Sequence, residues 1–340
     1  MLPLRKTVVH LVVAALSLVP ASGCSSRPLS YTPPTIAPAT PAVSPATAEP
    51  TTGVVLPLDG HPVSALFDTA TSQLAVLRPG TDPRGAAEVV LVGRSPTTIP
   101  LPGPATALAD DGHGTLFAAM HGGYAVVSLP AGHVSQVRVG DPATDFTAIA
   151  RRADGRLALG TADGSVYLLS DDHGAIASKT KIFARVDALA AQGNTVIVLD
   201  RGQTVVTTIS ADGHPEQSLR AGAGATTLAV DPQGRALVAD TRGGNLLVYG
   251  VDPLMLRQSY PVPDAPYGVT GSTSLAWVSQ TASNTVIGFD LSTGIPVEKV
   301  RYRTVRQPDS LAFDDASGTL YVVSGSGAGV HVIANAAGRP

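Results

Sequence analysis

An all-β ring of seven four-stranded blades is the architecture that this 340-residue sequence predicts. Three observations carry the prediction. A short strand-like phrase returns seven times, at 63–68 (VSALFD), 105–110 (ATALAD), 146–151 (FTAIAR), 186–191 (VDALAA), 225–230 (ATTLAV), 266–271 (PYGVTG) and 308–313 (PDSLAF). Its fourth residue is always aliphatic (Leu66, Leu108, Ile149, Leu189, Leu228, Val269, Leu311), in steps of 42, 41, 40, 39, 41 and 42 residues. The residue before it is always small: Ala65, Ala107, Ala148, Ala188, Thr227, Gly268 and Ser310. A fixed period near forty with four strand signals in each repeat is the pattern of propeller blades.

In front of the repeats, residues 1–23 read as an export signal. Arg5 and Lys6 form a basic start, and an apolar stretch over 7–20 is too short for a permanent membrane span. The segment ends in Ala21-Ser22-Gly23-Cys24, which resembles the lipobox of bacterial lipoproteins, with Ala21 standing where Leu is usual. That resemblance implies cleavage before Cys24, acylation of its thiol and attachment to the membrane through the lipid. Multiple acyl chains hold firmly where one is marginal. Cys24 is the only cysteine, so an intramolecular disulfide is excluded.

Residues 24–52 then read as a tether. Prolines at 28, 33, 34, 38, 41, 45 and 50 are separated by Ala, Thr and Ser, a composition that favours an extended, unpacked chain. The same composition resembles the O-mannosylated linkers of mycobacterial lipoproteins.

Residues 53–340 hold the blades. Blade five is the clearest. A first strand ends in the turn Asp231-Pro232-Gln233-Gly234, a second covers 235–240, a third 245–251 and an outer strand 257–262. The other second strands are expected at 73–77, 115–119, 156–160, 195–199, 275–279 and 319–323. The other third strands are expected at 88–92, 124–129, 165–169, 204–209, 285–291 and 329–333. Many are continuous apolar runs, as suits strands covered on both faces. Outer strands follow at 97–101, 134–139, 179–183, 216–219, 257–262 and 298–302, but blade seven lacks one. A spare strand at 54–58 precedes blade one, so the N-terminal strand is expected to complete the last blade. Such closure hides the sheet edges, and a monomeric propeller is expected.

The run AVDPQGRALVADTRGGNLLVY at 229–249, and NTVIGFD at 284–290 followed by Ser292-Thr293-Gly294, resemble the repeats of NHL and YncE-like propellers. The only tryptophan, Trp277, has no Asp beside it, so the Trp-Asp repeat signature is absent. Signal, tether and propeller together resemble mycobacterial cell-envelope lipoproteins. That resemblance implies a location at the outer face of the plasma membrane and brings no catalytic residues with it. A net charge of −3 excludes strong bulk attraction to nucleic acid.

Propellers bind at the face where the loops between second and third strands meet the blade-to-blade connections. Residues expected there include His61, His121, Asp163, Asp200, Arg201, Asp240, Arg242, Tyr267, Gln280 and Asp309. Two readings compete with a bland one. The first is a non-catalytic binding or scaffold module for an envelope protein or small ligand. The second is a lactonase-like or lyase-like hydrolase, with Asp163, Asp200 and Asp240 holding a channel Ca²⁺ and His121 as general base. In the bland reading these acids and arginines only fix turns and pair on a solvated rim. His113, His133, His173 and His214 lie in Gly- or Asp-containing turns and read as exposed turn residues. No HExxH, GxSxG, Walker A, GxGxxG or CxxC pattern occurs.

Overall fold

The computed structural model describes residues 34–46, 50, 52–82 and 84–338. The export signal and Cys24 lie outside the described residues. Every regular element among the described residues is a β-strand, and the strands form seven antiparallel sheets of four. In six sheets the strands pair in chain order; blade five, for example, is Ala225–Val230, Arg235–Asp240, Asn245–Val251 and Leu254–Pro261.

Local chemistry sets the turns. In Asp231-Pro232-Gln233-Gly234, Gly234 takes φ +79° and donates to the Asp231 carbonyl at 2.8 Å. The Asp231 carboxylate accepts the Arg235 backbone N–H at 2.9 Å and its Nε–H at 2.6 Å, so the turn is closed from both sides. At the turn between the third and outer strands Asp252 and Pro253 form the whole connection, because Val251 already pairs with Leu254. The outer strand of blade five therefore starts at Leu254, earlier than the expected 257. In blade three the outer strand is Ile176–Lys181 rather than 179–183, with a register shift between Leu168 and Leu169.

The seventh sheet closes the ring. Val54–Leu56 pairs antiparallel with Val330–Ile333, aligning Val54 with Val332 and Leu56 with Val330, so the two ends of the described propeller share one blade. Leu58, Leu74, Val76 and Val90 pack with Ala312, Val323 and Val330 in one apolar cluster that spans blades one and seven.

Between neighbours the inner strands approach closely, which explains the invariably small residue. A Cβ at Gly268 would stand 2.9 Å from Ser279 Oγ, 3.0 Å from the Asp309 carbonyl and 3.2 Å from Leu311 Cγ. Hydroxyls then stitch one blade to the inner strand of the next. Thr106 donates to the Phe146 carbonyl at 3.1 Å, Thr147 to Val186 at 2.5 Å and Ser279 to Pro308 at 2.5 Å, and Thr227 bonds Tyr267 in the same way. The fully buried Trp277 of blade six stacks on Phe313 of blade seven, with centroids 5.7 Å apart and planes at 21°. Trp277→Ala should therefore lower the unfolding free energy by about 3–5 kcal/mol. Urea unfolding followed by far-UV circular dichroism would read that loss; a change below about 1 kcal/mol would mean that the contact between blades six and seven is loose.

Candidate functional site: the channel mouth

The first strands of all seven blades surround an axial cavity of about 460 Å³. Most of its wall is aliphatic or hydroxyl side chains of the inner strands, the small middle residues and their aliphatic neighbours together. Four ionisable side chains line it: Asp187, Arg201, Tyr267 and Asp309. They come from the starts of three first strands and from the loop after a second strand, and therefore gather at one end.

Burial pushes the Asp187 carboxyl up; the Arg201 backbone N–H at 2.8 Å and the guanidinium groups of Arg201 and Arg185 oppose it. Burial also raises the Tyr267 hydroxyl, against the Arg201 charge. Asp309 is pushed up to about 6 by burial, partly opposed by the Gln307 Nε2–H donated at 3.0 Å. The mouth thus holds a weakened acid and a cation beside hydroxyl side chains, an arrangement suited to fixing the orientation of a polar ligand.

Asp200 and Asp240 lie just outside this lining and serve a different purpose. Each ends a second strand, is buried, and folds its carboxylate under the preceding blade-to-blade connection. Asp240 accepts the backbone N–H groups of Ala223 at 3.0 Å, Gly224 at 2.8 Å and Gly243 at 3.0 Å. Gly222 and Gly243 leave room for this, since a Cβ on either would collide with Asp240 Oδ2. Asp200 accepts Ala184 and Gln203 at 2.8 and 2.9 Å in the equivalent way. Strand register shows that the counterpart in blade three is Thr161, not Asp163: Leu159, Val198 and Val238 each pair with the aliphatic residue of their first strand, and Thr161, Asp200 and Asp240 follow two residues later. Gln280 and Ser324 hold the same place in blades six and seven, Gln280 donating to the Pro263 carbonyl at 2.7 Å.

Asp163 instead faces outward, bonded to Lys181 Nζ at 2.8 Å and Thr161 Oγ1 at 2.5 Å; burial pushes its carboxyl up, but Lys181, Thr161 and Ser165 outweigh it and hold the group well below the usual range. The three acids considered for Ca²⁺ are therefore held apart, and among the described residues no group of three His, Cys, Asp or Glu side chains is placed to hold a metal ion. His61 sits exposed on the rim with Nδ1 3.1 Å from the Gly325 carbonyl. His121 forms a backbone β-bridge with Asp145 and lines a recess with Arg84 and Phe146 that adjoins the axial lining at Thr106 without His121 entering that lining.

The least expected occupant of the mouth face is part of the tether. Residues 36–45 lie along blades four to seven, where Ile36 donates to the Gly202 carbonyl at 2.8 Å and Ala42 to Thr281 Oγ1 at 3.1 Å. The guanidinium of Arg242 donates to the Ala37 carbonyl at 2.7 Å, and that of Arg201 to the Ala39 carbonyl. The stretch expected to be an unpacked spacer is, over these residues, docked. Gln307, Thr281 and Asn284 contact it and carry no sequence signal of that task; their polar loop positions read like any other.

No protein-family model matches the chain, and no curated protein matches it. Solved structures do. Streptogramin B lyase aligns with TM-score 0.67 at 11% identity, covering 84% of this chain and 96% of that one. Virginiamycin B lyase from Staphylococcus aureus aligns with TM-score 0.67 at 12% identity over 83% and 98%. Hydrazine synthase of Kuenenia stuttgartiensis aligns with TM-score 0.66 at 14% identity over 84% and 98%. These likenesses define the class as a seven-bladed β-propeller.

Two consequences are measurable. Asp309 has an ordinary value near 3.8 and a folded value of about 6, so ionising it costs the folded state. Its contribution is fully favourable below pH 4 and is lost as pH rises through 6. Asp309→Asn should flatten that part of the stability–pH curve and raise the melting temperature at pH 7.5; an unchanged curve would show the carboxyl to be hydrated. Asp240→Ala should lower stability by about 1–3 kcal/mol by removing the acceptor of three backbone N–H groups, of which that of Gly224 is buried; retention of wild-type stability in urea would refute this role.

Proposed function

We propose that the chain is a membrane-anchored lipoprotein of the cell envelope whose propeller is a binding module, with the channel mouth as its binding face. The observation that carries the binding reading is the convergence of Asp187, Arg201, Tyr267 and Asp309 on one end of a lined cavity. The envelope location rests on the lipobox-like Ala21-Ser22-Gly23-Cys24 and the Pro-rich stretch behind it. In this reading the acylated Cys24 holds the propeller at the membrane, and a protein or small ligand is captured from the periplasmic side.

The rival reading is a lactonase-like or lyase-like hydrolase with a channel metal ion. The likeness to streptogramin B lyases speaks for it. The engagement of Asp163, Asp200 and Asp240 in separate hydrogen-bond sets speaks against those acids as its metal ligands.

Metabolic labelling with an alkyne fatty acid tests the anchor: wild type should carry the label and partition with membranes, and Cys24→Ala should lose both. Label retained by Cys24→Ala would sink it. Melting in excess Ca²⁺ and in EDTA separates the two readings of the channel, because a folded-state ligand at about 100 times its Kd adds about 2.7 kcal/mol. Equal melting temperatures are expected, together with unchanged mass and chromatographic retention, after incubation with the chain, of quinupristin, the compound bound in a virginiamycin B lyase structure; retention is needed because ring opening by elimination leaves the mass unchanged. A rise with Ca²⁺, or conversion of quinupristin, would move the enzyme reading ahead.

A further inference from the structure

Residues 36–45 are held mainly through their backbone. The carbonyls of Ala37, Ala39, Ala42 and Pro45 accept from Arg242, Arg201, Gln307 and Asn284 respectively, and the N–H groups of Ile36, Ala42 and Ser44 donate to Gly202, Thr281 and Gln307. Gln307 brackets the segment with both ends of its amide, Nε2 to the Ala42 carbonyl at 3.1 Å and Oε1 from the Ser44 N–H at 3.2 Å. None of the N–H groups used falls on a proline position, so Pro38, Pro41 and Pro45 stiffen the segment without forfeiting a bond.

Two side chains of the segment are buried, Ala39 and Ser44, whereas Val43 between them is 89% exposed. At the first position Gly224 forms the floor, where a Cβ would come within 3.1 Å of the Ala39 Cβ. At the second, Ser44 Oγ donates to the Thr281 carbonyl at 2.6 Å and accepts the Gln307 N–H at 2.9 Å. The receiving residues are also set in an uncommon backbone: Asn284 and Gln307 take φ +50° and +51°, in the left-handed region that favours glycine. Such conformations are retained at sites where the surrounding structure enforces them.

We propose that this surface is a binding site for extended, proline-rich peptides that place small side chains at two positions five residues apart, and that residues 36–45 are its resident occupant. The inference rests on the reading of the mouth as the binding face and names the class of partner: an Ala-, Ser-, Thr- and Pro-rich segment of another envelope protein. Main-chain bonds supply affinity, and the two shallow positions reject bulky residues. The resident segment competes at the high effective concentration that its covalent link gives it, so an incoming peptide must displace it. Arg201 joins the two parts of the face, since it holds the Ala39 carbonyl and also lines the axial cavity.

The test uses a fluorescein-labelled peptide of sequence TIAPATPAVSPA, identical to residues 35–46, titrated with the full chain and read by anisotropy. A full chain carrying Ala39→Trp and Ser44→Trp, which empties the site, should bind it at least about tenfold more tightly than wild type. Adding Gln307→Ala should weaken that binding about tenfold or more. Arg242→Ala, at an exposed position, gives the same test if the Gln307 variant folds poorly. A peptide with Trp at the position of Ala39 should not bind. Absence of saturable binding to the emptied, folded chain overturns the proposal. If that chain nevertheless captures another ligand in a Tyr267-dependent manner, the peptide inference alone falls and the mouth-face reading stands. A dimer that light scattering detects only in wild type would assign the surface to segment exchange between two copies and likewise overturn it.

Discussion

The antiparallel pairing of Val54–Leu56 with Val330–Ile333 is the contact on which the rest of the molecule depends. A blade is a small twisted sheet with two apolar faces, and it is stable only when both faces are covered. Inside the ring each blade covers its neighbours. At the seam Leu74, Val76 and Val90 of the first blade are covered by Ala312, Val323 and Val330 of the last and by Leu58, which follows the N-terminal strand. Three residues of ladder therefore supply the fourth strand of blade seven, cover the edge of Val330–Ile333 and tie the last blade to the N-terminal chain. They also bring the Pro-rich segment that precedes them back onto the mouth of the ring.

Closing seven blades at this radius imposes the geometry of the channel. Inner strands must approach closely, so their middle positions hold Ala, Gly, Ser or Thr, and hydroxyls beside them (Thr106, Thr147, Ser279) bond the next blade's carbonyls. The ring leaves an axial cavity whose wall is chemically bland over most of its length. Charge enters only at the mouth, where loops escape the packing constraint. Even there most acids are committed to structure: Asp200 and Asp240 each tie a blade-to-blade connection to the end of a second strand. What remains for ligands is a small set, Asp187, Arg201, Tyr267 and Asp309, and beside it the donors that face residues 36–45.

Much of this was legible from residue order alone. The period of the aliphatic and small positions located all seven first strands, and the missing outer strand in blade seven, set against the spare one at 54–58, disclosed the closure. Turn residues such as Asp231 and Gly234 behaved as their chemistry requires. The site was harder to read. Asp163 looked equivalent to Asp200 and Asp240 by loop position, yet register puts Thr161 in that place, a two-residue offset that only strand pairing reveals. Gln307 and Thr281 had nothing to distinguish them, because the partners that give them meaning lie more than two hundred residues away.

The sequence by itself determined the fold class, the blade count and the topological closure, since these follow from periodic burial and turn chemistry, which are local properties repeated along the chain. Only the tertiary structure decided which polar residues are structural caps and which line the channel, and it alone turned part of an apparent spacer into a docked segment. The physical reason is range. A strand is specified by its near neighbours, whereas a site is specified by groups that ring closure brings together from distant blades.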